Sequence, residues 1–269
     1  MGDNQLSKEF LSGWALILGA SSGMGEACAL ELARCGMDIF GVHLDRRGTL
    51  QNVDRITSEI QNTGRTARFY NINAADPEKV KEVADAMAAI ATPGSVRVLI
   101  HSLAFGTLKP LIASLEKETV TRAQIDMTLD VMANSLVYWT QDVTRRGLMG
   151  PGGSIFALTS AGSSRVWKTY GPVSAAKAAL ESHVRQLALE LGPSQISVNA
   201  IRAGVTDTPA LRKIPGNEKM MELTLKKNPR GRLTTPADVA GAIALLSHPK
   251  ANWITGEVIG VDGGEYIVD

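Results

Sequence analysis

Short apolar runs of strand length alternate with helix-patterned stretches along this 269-residue chain, and that alternation leaves few folds open. The candidate strands are Trp14–Gly19, Asp38–Leu44, Ala67–Ile72, Val96–Ser102, Gly153–Thr159, Gln195–Ile201 and Gly256–Val261. Between them lie helical patterns at 23–35, 49–63, 77–91, 117–148, 172–192 and 236–247. Near-continuous β-branched runs of this kind belong to parallel strands covered on both faces. Right-handed crossovers then give an α/β, Rossmann-type doubly wound sheet of about seven parallel strands with helices on both faces. Asp76-Pro77 and Thr235-Pro236 each place a capping side chain before a proline suited to a helix's first turn. No repeat, low-complexity tract or long linker divides the chain, so residues 1–269 read as one domain. One stretch, 207–233, is helical but inserted ahead of the last strand. At the carboxyl edge of such a sheet it is expected to form a lid over a ligand crevice, a plain surface excursion being the alternative.

Composition narrows the function more than the fold. A formal net charge of +1 supplies no field for nucleic acid or an anionic membrane surface. The opening MGDNQLSKEF lacks the cationic start and apolar core of a secretion signal, and Leu6 stands where myristoylation wants Ser or Thr. No apolar run reaches the ~18 to 20 residues of a membrane span. Cys28 and Cys35 fall seven apart on one expected helix, ~10 Å along its axis, beyond disulfide reach. Reduced thiols fit a cytoplasmic protein. Four scattered histidines make no metal-binding cluster.

After the first strand, Gly19-Ala-Ser21-Ser22-Gly23-Met24-Gly25 opens directly into a helix. Glycines there permit a tight turn and let backbone N–H groups approach a pyrophosphate at the helix's positive end. Asp45 follows Gly25 by twenty residues, where a carboxylate can hold the adenosine ribose hydroxyls of NAD. Arg46-Arg47 beside it can instead clamp a 2′-phosphate, which favours NADPH and leaves NADH possible. Farther along, Tyr170-Gly-Pro-Val-Ser-Ala-Ala-Lys177 starts an alanine-rich helix, with Ser160 ten residues upstream of the tyrosine. Seven residues at ~100° each return Tyr170 and Lys177 to one helical face. A phenol, an ammonium and a hydroxyl together can polarise a carbonyl oxygen while hydride arrives elsewhere.

A GxxxGxG loop near the start and a Ser/Tyr/Lys set past the middle resemble the short-chain dehydrogenase/reductase family, from Trp14 to Gly264. Further marks are Asn71-Ile72, usually Asp-Val beside the adenine, and Val198-Asn-Ala-Ile-Arg-Ala-Gly204, with Ala203 where the family has proline. Val261-Asp-Gly-Gly264 matches the usual last strand and turn, while Leu18 departs from a common threonine. The resemblance implies a cofactor site of Gly19, Ser21, Ser22, Gly23, Met24, Gly25, Asp45, Arg46, Asn71, Ile72, Ser102, Lys177, Gly204 and Thr206. It also implies a catalytic set of Ser160, Tyr170, Lys177 and Asn134. His43 falls where NAD-preferring members often carry an aspartate.

Most of the family spaces tyrosine and lysine as YxxxK. Here Ser160 and Lys177 keep the family's seventeen-residue interval, but the tyrosine has moved three residues upstream of Val173. The displaced YxxxxxxK pattern is similar to enoyl-acyl-carrier-protein reductases. So is His101-Ser-Leu-Ala-Phe105, and the 203–216 segment is similar to the substrate loop of their NADPH-dependent branch. Ser160 and Asn134 are also ketoreductase features, which keeps a 3-oxoacyl, sterol or sugar carbonyl reductase open, with a non-catalytic nucleotide sensor as a third reading. The enoyl resemblance implies that Tyr170 donates to the enolate oxygen, Ser160 adds a hydrogen bond and Asn134 holds a relay water. Lys177 would bind the nicotinamide ribose and lower the phenol's pKa. Seven basic residues between Ala210 and Arg232 offer a rim for an acidic acyl carrier protein, or simply a solvated helix face. The resemblance also implies pairing across two-folds into a homotetramer or homodimer.

Overall fold

The computed structural model describes residues 10–268, so the stretch read for a leader lies outside the described residues apart from Phe10. Seven strands form one parallel sheet: β1 (Trp14–Leu18), β2 (Asp38–His43), β3 (Ala67–Asn71), β4 (Val96–His101), β5 (Ser154–Ser160), β6 (Ser197–Ala203) and β7 (Val258–Val261). Their order is β3-β2-β1-β4-β5-β6-β7, and every pairing is parallel. The order reverses direction at β1 and β4, and a ligand crevice belongs at the carboxyl ends of those strands.

Helices cover both faces, as continuous apolar strands require. On one side α1 (Gly23–Arg34), α2 (Leu50–Asn62) and α8 (Pro236–Leu246) bury Cys28, Leu32, Ile56, Ile60, Val239 and Ile243 against Ile17, Ile100 and Ile201. On the other, α3 (Pro77–Ala88), α5 (Ser135–Arg145) and α6 (Gly171–Leu191) pack Met87, Trp139, Leu180 and Val184 onto Leu16, Leu99 and Val198. Each such buried aliphatic side chain stabilises the fold by roughly 1.5–3 kcal/mol before entropy is counted. Both cysteines are buried, and burial pushes Cys28 up to about 12 and Cys35 up to about 11, so neither thiol is reactive.

The expected elements are present with most boundaries shifted slightly, and three departures have local reasons. The single helix expected over 117–148 is broken into α4 (Arg122–Leu129), a π turn at Asp130–Asn134 and α5. The strand expected from Gln195 begins at Ser197, because Gln195 itself takes a left-handed φ of 57° after a tight Gly192–Ser194 turn. The 207–233 insertion is helical only in α7 (Asn217–Lys227) and a short turn at Leu211–Lys213. Its ends are pinched together by a parallel bridge between Thr206 and Thr234.

Candidate active site

A cavity of about 1810 Å³ runs along the carboxyl ends of the strands, from the Gly19 loop to Tyr170. Ligand pockets commonly span ~300–1,000 Å³, so this space suits a dinucleotide together with a second substrate.

Its first end is built from backbone. Gly19 has φ +89°, and a Cβ there would lie 2.5 Å from the Ser102 carbonyl oxygen. A Cβ on Gly25 would sit 2.0 Å from the Gly19 oxygen, so the loop and α1 touch with no room for a side chain. Asp76, Thr121 and Thr235 cap α3, α4 and α8 with their side chains, whereas Ser22 leaves the α1 entrance uncapped. Unsatisfied N–H groups at a positive helix end, facing a cavity through glycines, fit a pyrophosphate. Ser21, Ser22, Gly23 and Met24 line that end, with Ser102 beneath them.

At the adenosine end Asp45, Arg46 and Ile72 line the cavity and Asn71 does not. The Asn71 amide instead exchanges two 2.9 Å hydrogen bonds with the Asp45 backbone, making it a brace for that turn. Asp45 is held by His43 Nδ1 at 2.9 Å. Burial would raise its carboxyl, but hydrogen bonds from Ser21, Thr49 and His43 outweigh that and keep it below its ordinary value. Asp45 is thus already well supplied with donors, while the neighbouring Arg46 is exposed at the rim.

At the far end β5 delivers Ser160 and α6 delivers Lys177, which is buried. Lys177 Nζ donates to the Leu158 carbonyl at 2.6 Å and reaches toward Leu103 O at 3.5 Å. Burial pushes its ammonium down to about 8, opposed by Glu181. Tyr170 precedes the first residue of α6, and Thr169 before it takes φ +67°. A left-handed β-branched residue is strained backbone. This kink turns the phenol into the cavity from the helix entrance. The Tyr170 ring lies against Gly162, where a Cβ would meet Cε1 at 2.4 Å. Its hydroxyl is 3.5 Å from Ser160 Oγ, a separation too long for a strong bond. Ser163 and Ser164 are turned elsewhere, to the Ser160 carbonyl and the Tyr266 hydroxyl.

Two sequence expectations need correction. Burial holds the Tyr170 phenol above its ordinary value despite the Ser160 hydrogen bond, so Lys177 does not lower it. Asn134 does not reach the cavity: at the last residue of the π turn, its Oδ1 pairs with His183 Nε2 at 3.1 Å. The next residue, Ser135, faces inward and meets buried His101 Nε2 at 2.8 Å. Gly204 and Thr206 do line the cavity, although the Thr206 hydroxyl is spent on Gly204 O at 2.9 Å. Thr208 was not foreseen. Its methyl lies over Gly23, spanning from the insertion to the phosphate end. Trp167 was also missed: it lines the cavity and donates its indole N–H to Pro215 O at 3.1 Å. The only available hint for either was its position, two residues past Thr206 and three before Tyr170.

A family model described as Enoyl-(Acyl carrier protein) reductase matches residues 19–265. The chain belongs to the short-chain dehydrogenase/reductase family. Within it, relatives of different activity stand at similar distance. An enoyl-[acyl-carrier-protein] reductase [NADH] of Nostoc is 31% identical over 94% of this chain and 96% of its own. A 3-oxoacyl-[acyl-carrier-protein] reductase of Thermotoga maritima is 29% identical over 93% and 96%. A short-chain dehydrogenase of Burkholderia cenocepacia, solved in complex with NADP, superposes with a TM-score of 0.80 at 27% identity, covering 97% of this chain and 99% of that one. The chain is therefore a family oxidoreductase whose relatives use a nicotinamide cofactor, and the glycine cradle and uncapped α1 fit such a group. Among the described residues no cluster could hold a metal ion, and no helix is long and apolar enough to cross a membrane.

Proposed function

We propose that this chain reduces the carbon–carbon double bond of a trans-2-enoyl thioester. One observation carries the reading: among the described residues, the phenol that meets Ser160 is Tyr170, at the entrance of the helix that carries Lys177. The position it vacates, Val173, is buried with Met132 and Ala176 in an apolar wall. A nicotinamide dinucleotide held by the Gly19–Gly25 cradle would supply hydride to the β-carbon. Tyr170, kept neutral by burial, is a hydrogen-bond donor matched to the charge that develops on the thioester oxygen. Ser160 supplies a second polar contact, and Lys177 holds the nicotinamide ribose. Arg46 at the rim, beside an Asp45 occupied by its own donors, favours NADPH over NADH.

The insertion at 207–233 acts as the substrate lid of a single-domain enzyme. Three of its seven basic residues are paired within the chain, Arg212 with Asp207, Lys226 with Glu222 and Arg232 with Asp238. Lys213, Lys219, Lys227 and Arg230 make no ion pair among the described residues; Lys227 is half-buried at the cavity, and the other three are exposed and offer a smaller rim for an acidic acyl carrier protein. Exposed Tyr138 on α5 and Leu189 on α6 suit pairing into a homotetramer, and the free thiols suit the cytoplasm. Ser160, and the equally similar 3-oxoacyl relative, favour carbonyl reduction as the second reading. Following NADPH oxidation with crotonyl and acetoacetyl thioesters in parallel separates the two. Turnover of acetoacetyl alone would overturn the enoyl reading.

A further inference from the structure

Lys177 is buried except where it lines the cavity, and the groups around it are few. β5 contributes the Leu158 carbonyl, which accepts from Nζ at 2.6 Å, and then Thr159 and Ser160. The end of β4 contributes His101, fully buried and pushed down to about 3 by burial and by Lys177 itself, hence neutral. Tyr170 approaches from the α6 entrance, also neutral. On α6 itself, one turn after Lys177, stands Glu181, the one charged group among the described residues that acts on the ammonium. Its Oε1 accepts a 2.7 Å hydrogen bond from the buried Thr159 hydroxyl.

Consecutive strand residues, Leu158 and Thr159, bind the lysine and the glutamate, and the two ionic side chains lie four apart on one helix, on the same face but without a direct ion pair. Thr159 thereby fixes the carboxylate beside the very carbonyl that fixes the ammonium. We propose that Glu181 is a positioning residue: anchored by Thr159, it is the counter-charge that keeps buried Lys177 protonated and aimed at the nicotinamide ribose. A buried ammonium without a partner is costly and sheds its proton, so losing the carboxylate should disarm the lysine without touching cofactor or substrate. The inference rests on Lys177 contacting the cofactor, which the enoyl and carbonyl readings share.

The test is the pH dependence of NADPH affinity, with NADH in parallel, followed by fluorescence titration without substrate. In the parent, affinity should fall as pH rises through about 8, where Lys177 deprotonates. Glu181→Gln keeps the acceptor for Thr159 but removes the charge, and should move that midpoint down by about one pH unit. At pH 8 this costs roughly fivefold in affinity, approaching tenfold only well above both midpoints, while the low-pH plateau remains. Thr159→Val should move the midpoint the same way by less. It also decides the matter alone if Glu181→Gln does not fold. A purely structural role for Glu181 predicts a uniform loss with an unchanged midpoint, and that result overturns the inference. Because no turnover is read, failure of the enoyl assay leaves this result standing, and the reverse holds too.

Discussion

The two ends of the cavity are made of different materials. At the phosphate end the working groups are backbone, exposed by glycines and oriented by the start of α1. At the catalytic end they are side chains carried by β5, α6 and the strained turn at Thr169. Backbone sites tolerate almost no substitution at the glycines, because the contacts are already at van der Waals limits. Side chains are easier to rearrange, since each can be carried to the cavity from a neighbouring position on its element. On the proposed reading, the first end holds what the family shares and the second what distinguishes its members.

The sharpest way to break this contrast is Gly25→Ala. With a Cβ at 2.0 Å from a backbone oxygen, cofactor affinity should fall by roughly 100-fold or more, and thermal stability should drop as well. A mild effect in isothermal titration and a thermal melt would show the cradle to be softer than described. Next comes Tyr170→Phe, expected to lower kcat by roughly 10²–10³-fold with cofactor affinity nearly unchanged, as for a lost oxyanion donor. Steady-state kinetics alongside NADPH binding checks it, and equal turnover would remove Tyr170 from the chemistry. Arg46→Ala should raise KM for NADPH by about tenfold, the loss of one rim contact, and leave NADH unaffected. Equal effects on both cofactors would assign Arg46 to the diphosphate or to stability. The smallest change is expected for Trp167→Phe, which keeps the ring but loses the 3.1 Å bond to Pro215. KM for the acyl substrate should rise about threefold, in line with a hydrogen bond worth ~0.5–1.5 kcal/mol. An unchanged KM would uncouple the insertion from the tyrosine turn.

The sheet and the glycine cradle were legible because their signals are local and repeated: apolar runs, glycine spacing and proline caps. Asn134 shows where such reading ends. Its position on the chain fits the family pattern, but the π turn rotates the side chain to His183 and turns Ser135 inward. Helical periodicity cannot register one extra residue in a turn. Thr169 is similar, since nothing in its neighbours announces a left-handed threonine. The lowered phenol pKa expected from Lys177 failed for another reason. Spacing along a helix says which groups share a face, and the degree of burial then decides which charge survives.

Val173 deserves a last consequence. Its methyl groups lie within the apolar wall, and a Cβ added at Gly106 would meet one of them at 2.9 Å. The same methyl groups line the large cavity, so Val173 is both core and wall. A larger side chain there would lose packing against Met132 and Ala176 only if it turned inward, and otherwise it would take volume from the space beside Tyr170. The shape of the acyl pocket therefore rests on a residue that makes no polar contact at all.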